Sequence, residues 1–231
     1  MVQIKLSKKN KVTIILTMTI RINPNVHWLE QRDSTKRLQI YLTSIVQWLE
    51  KTNLNICIIE NSGYMFYELD EYKEKYKDRF EIISYDEKTY EGTLHLKYSV
   101  SKGQCELYAL KYAYEHSKLI MKSYFIIKIT GRYFIPGFEN YLNGLDLTKY
   151  DVMQQNDNAR CELVGVSDRY FNIIFNTSMK SFDGSYFMPH MESYICYRVG
   201  YSILKHKKIN CPLFEIEPTL NGGQNEPYTT I

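Results

Sequence analysis

The sequence contains no apolar run that could cross a bilayer. The longest near its start, Val12 to Ile20, is nine residues broken by Thr13, Thr17 and Thr19, about half of the roughly 20 residues a helical span needs. Residues 5 to 11 are basic and precede it as in a signal peptide, yet no small-residue cleavage site follows and Arg21 to Pro24 breaks the run at once. The expectation is no membrane span and a cytoplasmic location. An excess of either charge is also missing: 29 Lys and Arg stand against 26 Asp and Glu, a formal +3, with the signs interspersed. No basic face of the kind that tracks a nucleic-acid backbone follows from that pattern, so nucleic acid is not an expected partner. Cysteine is sparse, with five residues (Cys57, Cys105, Cys161, Cys196 and Cys211), an odd number, widely spaced and without a CxxC pair, which reads as buried free thiols. The five histidines are scattered and none is assigned to a metal. GxGxxG, the Walker phosphate loop, GxSxG and HExxH are all absent, which weakens dinucleotide oxidoreductase, ATPase, hydrolase and zincin readings together. No internal repeat or low-complexity tract occurs.

What is present describes a globular α/β chain. At 44% hydrophobic and 24% charged, 231 residues can bury a sizeable core in one domain, residues 1–231, with two halves, 1–135 and 136–231, the second ending in a C-terminal tail. Val12 to Ile20 is β-branched and continuous, the pattern of a strand covered on both faces. A helix follows, capped by Asp33 or Ser34, with Leu38, Leu42, Ile45 and Leu49 as its apolar stripe and Tyr41 and Trp48 beside it. Asn55 to Glu60 is the second strand, residues 67 to 79 a charged surface helix, and Phe80 to Ser84 the third strand. Ser101, with Gln104 three residues on, opens a helix through about Ser117, and Tyr124 to Thr130 is the fourth strand. Strands alternating with helices predict an open, mostly parallel sheet flanked by helices, with ligands at the carboxyl ends of the strands. In the second half, 160–166 and 170–176 read as strands, 191–205 as a helix and 213–217 as a last strand. The polar tail after Pro218 is a mobile end or a lid.

The candidate site residues cluster at turns. Thr17 and Thr19 end the first strand, and Glu60, Asn61, Ser62 and Gly63 end the second. Lys102 and Gly103 open a helix, and Lys128 to Tyr133 close the fourth strand. A carboxylate at position 60 can accept from ribose hydroxyls or a base N–H, or can simply shape an Asx-type turn. Lys102 and Gly103 offer exposed N–H groups and a positive helix end to a phosphate, or only a cap. In this order the segments resemble the GT-A fold glycosyltransferases, above all the inverting group that uses nucleotide sugars. They are also similar to glycosyltransferase-like proteins of giant DNA viruses and bacterial surface-polysaccharide loci. The resemblance implies a GT-A-like α/β fold, with 1–135 as its nucleotide-binding half and 136–231 as its acceptor-side half, and a nucleotide-diphosphate-sugar donor (a UDP- or GDP-sugar). It implies nucleoside binding by Thr17, Thr19, Glu60, Asn61 and Ser62, with Lys102 and Gly103 near the nucleotide.

At the strand where the resemblance implies a metal-binding DxD pair, this sequence has Lys128, Gly131 and Arg132. Fixed cations could then hold the diphosphate in place of an ion. Mn or Mg stays open as a cofactor, with none required, and no metal ligand is assigned. The same group carries a late acidic residue at a helix start that deprotonates the acceptor. Glu192, with Arg198 six positions on, is the candidate base and Asp183 its rival; the alternative for Glu192 is a favourable first-turn charge. Tyr186, Phe187 and Trp28 could stack on sugar rings. The expected function is transfer of a sugar from a nucleotide-diphosphate sugar to a hydroxyl of a glycan or protein acceptor with inversion, with a homodimer left open and, for a viral chain, host cytoplasm or virion as its place. A sugar nucleotidyltransferase and a noncatalytic nucleotide- or sugar-binding viral protein are the alternatives.

Overall fold

The computed structural model describes residues 11–27, 29–155, 160–180, 190–202, 207–223 and 226–231. The first strand, β1 (Lys11–Met18), is buried on both faces from Thr13 onward. Ile14 and Leu16 join one apolar cluster and Ile15 the other, which is why its sequence runs apolar without alternation. The strands β2 (Asn55–Glu60), β3 (Phe80–Ser84), β4 (Ser123–Thr130), β5 (Val152–Gln155), β6 (Leu163–Ser167) and β7 (Lys208–Cys211) complete a seven-stranded sheet. Its order is β3-β2-β1-β4-β6-β5-β7, with β1 parallel to both β2 and β4. Only the β4–β6 and β5–β6 pairs are antiparallel. The α/β class expected from the sequence, an open and mostly parallel sheet flanked by helices, is thus the class observed.

The helix α1 (Ser34–Lys51) starts where Asp33 accepts from the N–H groups of Thr35 and Lys36. Its fully buried face is Tyr41, Ile45, Trp48 and Leu49, with Arg37 on the same side. Leu38 and Leu42, expected to lead the stripe, are only half-buried at its flank. The rotation carries the Trp48 indole inward, where its N–H donates to the Tyr133 carbonyl at 2.9 Å and pins the loop after β4.

The charged 67–79 segment contains a 3-10 turn at Tyr67–Leu69 and the short helix α2 (Asp70–Lys75). Ser101 caps α3 (Lys102–His116) by accepting from the Gln104 N–H at 3.2 Å. The short helices α4 (Lys118–Met121) and α5 (Phe138–Asn143) flank β4. The strand expected at 170–176 is instead a 3-10 turn followed by α6 (Phe171–Ile174). The i, i+3, i+4 spacing of Phe171, Ile174 and Phe175 buries all three on one side of a helical turn. The helix α7 (Met191–Ser202) packs against it. The last strand begins later than expected: β8 (Glu215–Leu220) pairs with β9 (Pro227–Thr230) as a separate antiparallel ribbon. The described part of the tail is therefore folded, and Asn221 and Gly222 reach the site described next. No described helix is long and apolar enough to cross a membrane. All five cysteines are free, and Cys57, Cys105, Cys161 and Cys211 are buried.

Candidate functional site

From β1 the chain moves outward to β2 and β3, then returns to the other side of β1 to form β4. Their carboxyl ends therefore flank the point where strand order reverses, and in open α/β sheets that crevice is where ligands bind. A cavity of about 410 Å³ opens there. Thr17 and Met18 reach it from β1 and Thr19 from just beyond it, Asn61 from just beyond β2, Thr130 from β4 and Arg132 from just beyond it, Lys102 and Glu106 from α3, and Glu192 from α7.

Two guanidinium groups dominate one wall. Arg37 is buried, and its three nitrogens donate to the Thr19 carbonyl at 2.7 Å, the Gln31 carbonyl at 3.1 Å and the Tyr41 hydroxyl at 2.7 Å. Burial lowers its pKa below the usual guanidinium range, and the charge of Arg132 adds to the effect. Arg132 is 8% exposed. Its Nη1 donates weakly to Gln31 Oε1 at 3.4 Å and to the Leu220 carbonyl of β8 at 3.2 Å. Its Nε and the Gln31 Nε2 are both buried without a partner. Two like charges on one wall, with unmatched N–H donors beside them, are the arrangement that suits an anion.

Lys128 plays a different part from the one its sequence position suggested. It is wholly buried and lies under the cavity. Its ammonium donates to Glu106 Oε1 at 2.9 Å, Thr130 Oγ1 at 3.2 Å and the Cys161 carbonyl at 2.6 Å, which occupies all three N–H donors. Burial works against the charge, but Glu106 outweighs it and raises the pKa of Lys128. Burial likewise disfavours the Glu106 carboxylate, yet Lys128, the Thr17 hydroxyl (2.6 Å) and Lys102 reverse it and lower its pKa. Gly131 also turns from the cavity. Its N–H donates to the Thr17 carbonyl at 3.0 Å, and a Cβ there would lie 2.6 Å from Met18 Cε, so the residue serves strand contact rather than phosphate contact.

Glu60 is fully buried behind the cavity wall. It accepts from the N–H groups of Ile20 (3.0 Å), Ser62 (2.9 Å) and Tyr64 (2.8 Å), and from the Ser62 hydroxyl. Burial raises its pKa while these donors pull the other way. Ser62 in turn accepts from the Arg21 N–H at 2.9 Å. Glu60 and Ser62 therefore tie together the loops after β1 and β2, and the ligand-facing residues of those loops are Thr19 and Asn61, joined at 2.6 Å. Lys102 is exposed at the rim. Gly103 lets α7 approach α3: a Cβ would lie 2.8 Å from Met191 Cβ. That contact sets the neighbouring Glu192, half-buried in the first turn of α7, at the cavity. Asp183, Tyr186, Phe187 and Trp28 lie outside the described residues.

The sequence reading missed Arg37, Glu106, Glu87, Tyr41 and Glu162, which all line the cavity. A signal existed for two of them. Arg37 precedes Tyr41 and Trp48 on the buried side of α1, and Glu106 lies one turn after Gly103 and one before Leu110 on the inward stripe of α3, so each is a charge on an otherwise covered face. Glu87 and Glu162 sit in loops without periodicity. The residues present do not fit a divalent ion at the end of β4: that strand offers Lys128, Thr130 and Arg132, and the nearby Glu106 carboxylate is already neutralised by Lys128. Among the described residues no group of three His, Cys, Asp or Glu side chains could hold a metal.

No protein-family model matches the chain, and no curated protein matches it. Solved structures are similar at low identity. A Desulfovibrio desulfuricans G20 protein described as a nucleotide-diphospho-sugar transferase is 12% identical, with a TM-score of 0.46 over 87% of this chain and 79% of that one. A cytidylyltransferase from Leptospira borgpetersenii serovar Hardjo-bovis is 10% identical, with a TM-score of 0.44 over 89% and 76%. The galactosyltransferase LgtC, solved with donor and acceptor sugar analogs, is 8% identical, with a TM-score of 0.42 over 80% and 69%.

Proposed function

We propose that this chain is a glycosyltransferase that moves a sugar from a nucleotide-diphosphate sugar to an acceptor hydroxyl with inversion. The observation that carries the reading is the buried Arg37 and Arg132 pair, Arg132 with an unpartnered Nε, lining the cavity where strand order reverses. The diphosphate lies against Arg132 and Arg37, with Lys102 at the rim. Thr19 and Asn61 face the nucleoside, and Lys128 holds the floor through Glu106 and Thr17. As the bond from the sugar to the diphosphate breaks, negative charge grows on the leaving oxygens, where fixed guanidinium charge lowers the barrier without reorganisation. Glu192 accepts the acceptor's proton as the new glycosidic bond forms on the opposite face. Asp183, shortly before α7 in sequence, is the rival base. Metal-independent transfer follows from cations standing where a DxD pair would place an ion.

The test pairs binding with turnover. A thermal-shift screen of UDP, GDP and CDP and their sugar conjugates, with and without manganese, identifies the donor. With that donor, Glu192→Gln should lower turnover by roughly 10²- to 10⁴-fold and leave nucleotide affinity unchanged. Undiminished turnover would remove Glu192 from the chemistry. Release of diphosphate from a nucleoside triphosphate and a sugar phosphate would replace the reading with nucleotidyl transfer. Binding without turnover of any sugar donor would make the chain a binding protein.

A further inference from the structure

The cavity also carries an acid that the proposed chemistry does not use. Glu87, in the loop after β3, is 4% exposed and lines the cavity. Its main-chain N–H donates to the Asn61 carbonyl at 3.0 Å, and its own carbonyl accepts from the Thr93 hydroxyl at 2.9 Å, so its position is fixed from two sides. On the carboxyl itself, Oε2 accepts from Asn61 Nδ2 at 2.7 Å, and the Cys105 thiol of α3 is the other donor. A carboxylate has about four acceptor sites, so sites remain for a ligand. The walls of the cavity include the apolar side chains of Ile22, Val26, Val100 and Ala109. His27 N–H donates to the Val100 carbonyl at 3.1 Å, and Asn23 Nδ2 to that of Lys97 at 3.1 Å, which fastens the β1–α1 loop to the 96–100 segment. Apolar walls with an acceptor-rich end suit a flat ring that carries N–H groups on one edge.

We infer that Glu87 is the specificity-determining residue for the base of the nucleotide, and that it selects guanine by accepting from the adjacent ring N–H and exocyclic amino group. This rests on the nucleotide-sugar reading. Uracil offers a single N–H between two carbonyl oxygens, which repel a carboxylate, and cytosine places a ring acceptor beside its amino group. Only guanine presents two neighbouring donors to two acceptor oxygens.

Protonation gives the inference a signature. The groups facing Glu87 are Tyr85, Asp86 and Lys88 along its own chain and Cys105 from α3. Burial pushes the Glu87 carboxyl up to about 7, against the pull of Cys105, Asn61 and Lys88, and burial with the Glu87 charge raises the Cys105 thiol so that it stays a donor. Guanine binds the ionised carboxylate, so its affinity falls in proportion to the ionised fraction as the pH drops through that value.

The experiment measures Kd for GDP, IDP and UDP by calorimetry at pH 6, 7 and 8, on the wild type and on Glu87→Gln, with thermal unfolding as a folding check. The GDP preference over UDP should rise about tenfold from pH 6 to pH 8, the change in ionised fraction for a group titrating near 7, and titration of the diphosphate cancels in the ratio. IDP lacks only the exocyclic amino group and should bind at least about tenfold more weakly than GDP at pH 8. In Glu87→Gln the pH dependence of the ratio should vanish. A wild-type ratio flat with pH, or equal GDP and IDP affinities, would overturn the role of Glu87 while leaving the transferase reading intact. Failure of the wild type to bind any of the diphosphates would overturn both.

Discussion

Replacing Lys128 with Met should cost about 3–5 kcal/mol of stability, the range found when one partner of a buried ion pair is removed. Lysines on a surface usually change stability by no more than about 0.5 kcal/mol. The reason is what stays behind. Glu106 would keep its charge beneath the cavity with only the Thr17 hydroxyl and the more distant Lys102 to hold it, and the Cys161 carbonyl would lose its 2.6 Å donor. Methionine fills much of the lysine's volume, so the loss reports charge and hydrogen bonding more than a cavity. The double variant Lys128→Met with Glu106→Gln should recover most of the loss, because no unpaired charge remains. Denaturant unfolding of the single and double variants measures both. A loss under about 1 kcal/mol in Lys128→Met would show that the ammonium is not the anchor of this site.

Arg132→Ala should weaken a nucleoside diphosphate by roughly 10- to 150-fold, the equivalent of one charge-assisted hydrogen-bonding group, and leave the matching nucleoside within about twofold. Only the diphosphate presents oxygens to the guanidinium. Arg132 also touches Gln31, the Leu220 carbonyl and the faces of Tyr41 and Tyr133, so thermal unfolding belongs beside the calorimetry. Equal weakening of nucleoside and diphosphate would show that Arg132 only fastens the β8–β9 ribbon to the sheet. Arg37 is the poorer choice for this experiment, because its three bonds to Thr19, Gln31 and Tyr41 make it part of the scaffold.

The inner strands β1, β2 and β4 were legible because they are covered on both faces and so spell nearly continuous apolar, β-branched runs, while the half-buried edge strand β3 showed as a short run between charged segments. Asn55 to Glu60 and Phe80 to Ser84 carry the same boundaries in sequence and structure. The Asp33 and Ser101 caps were legible for a local reason, since each side chain bonds a main-chain N–H within three residues. The second half was harder. Val152–Gln155 and Lys208–Cys211 are short strands whose place is set by distant partners, and Phe171 to Phe175 shows a compact aromatic cluster that suits either a strand or one helical turn. At the site, sequence located the strand ends but not the direction of their side chains. Lys128 shares the α3 side of β4 with Ile126, but its partner there, Glu106, arrives on a different segment. Glu60 looked available because most of its partners are main-chain N–H groups, which no sequence pattern displays. Thr17, Thr19, Asn61, Lys102, Gly103, Arg132 and Glu192 share the cavity; Glu60, Ser62, Lys128 and Gly131 build its walls and floor.

The most direct measurement compares each nucleoside diphosphate with its own nucleoside by titration calorimetry on the wild-type protein in excess EDTA. If Arg37 and Arg132 hold the diphosphate as proposed, the gain in affinity should reach about a hundredfold or more and should not change when manganese replaces the chelator. A diphosphate that binds no better than its nucleoside, or that does so only with manganese present, would contradict the account.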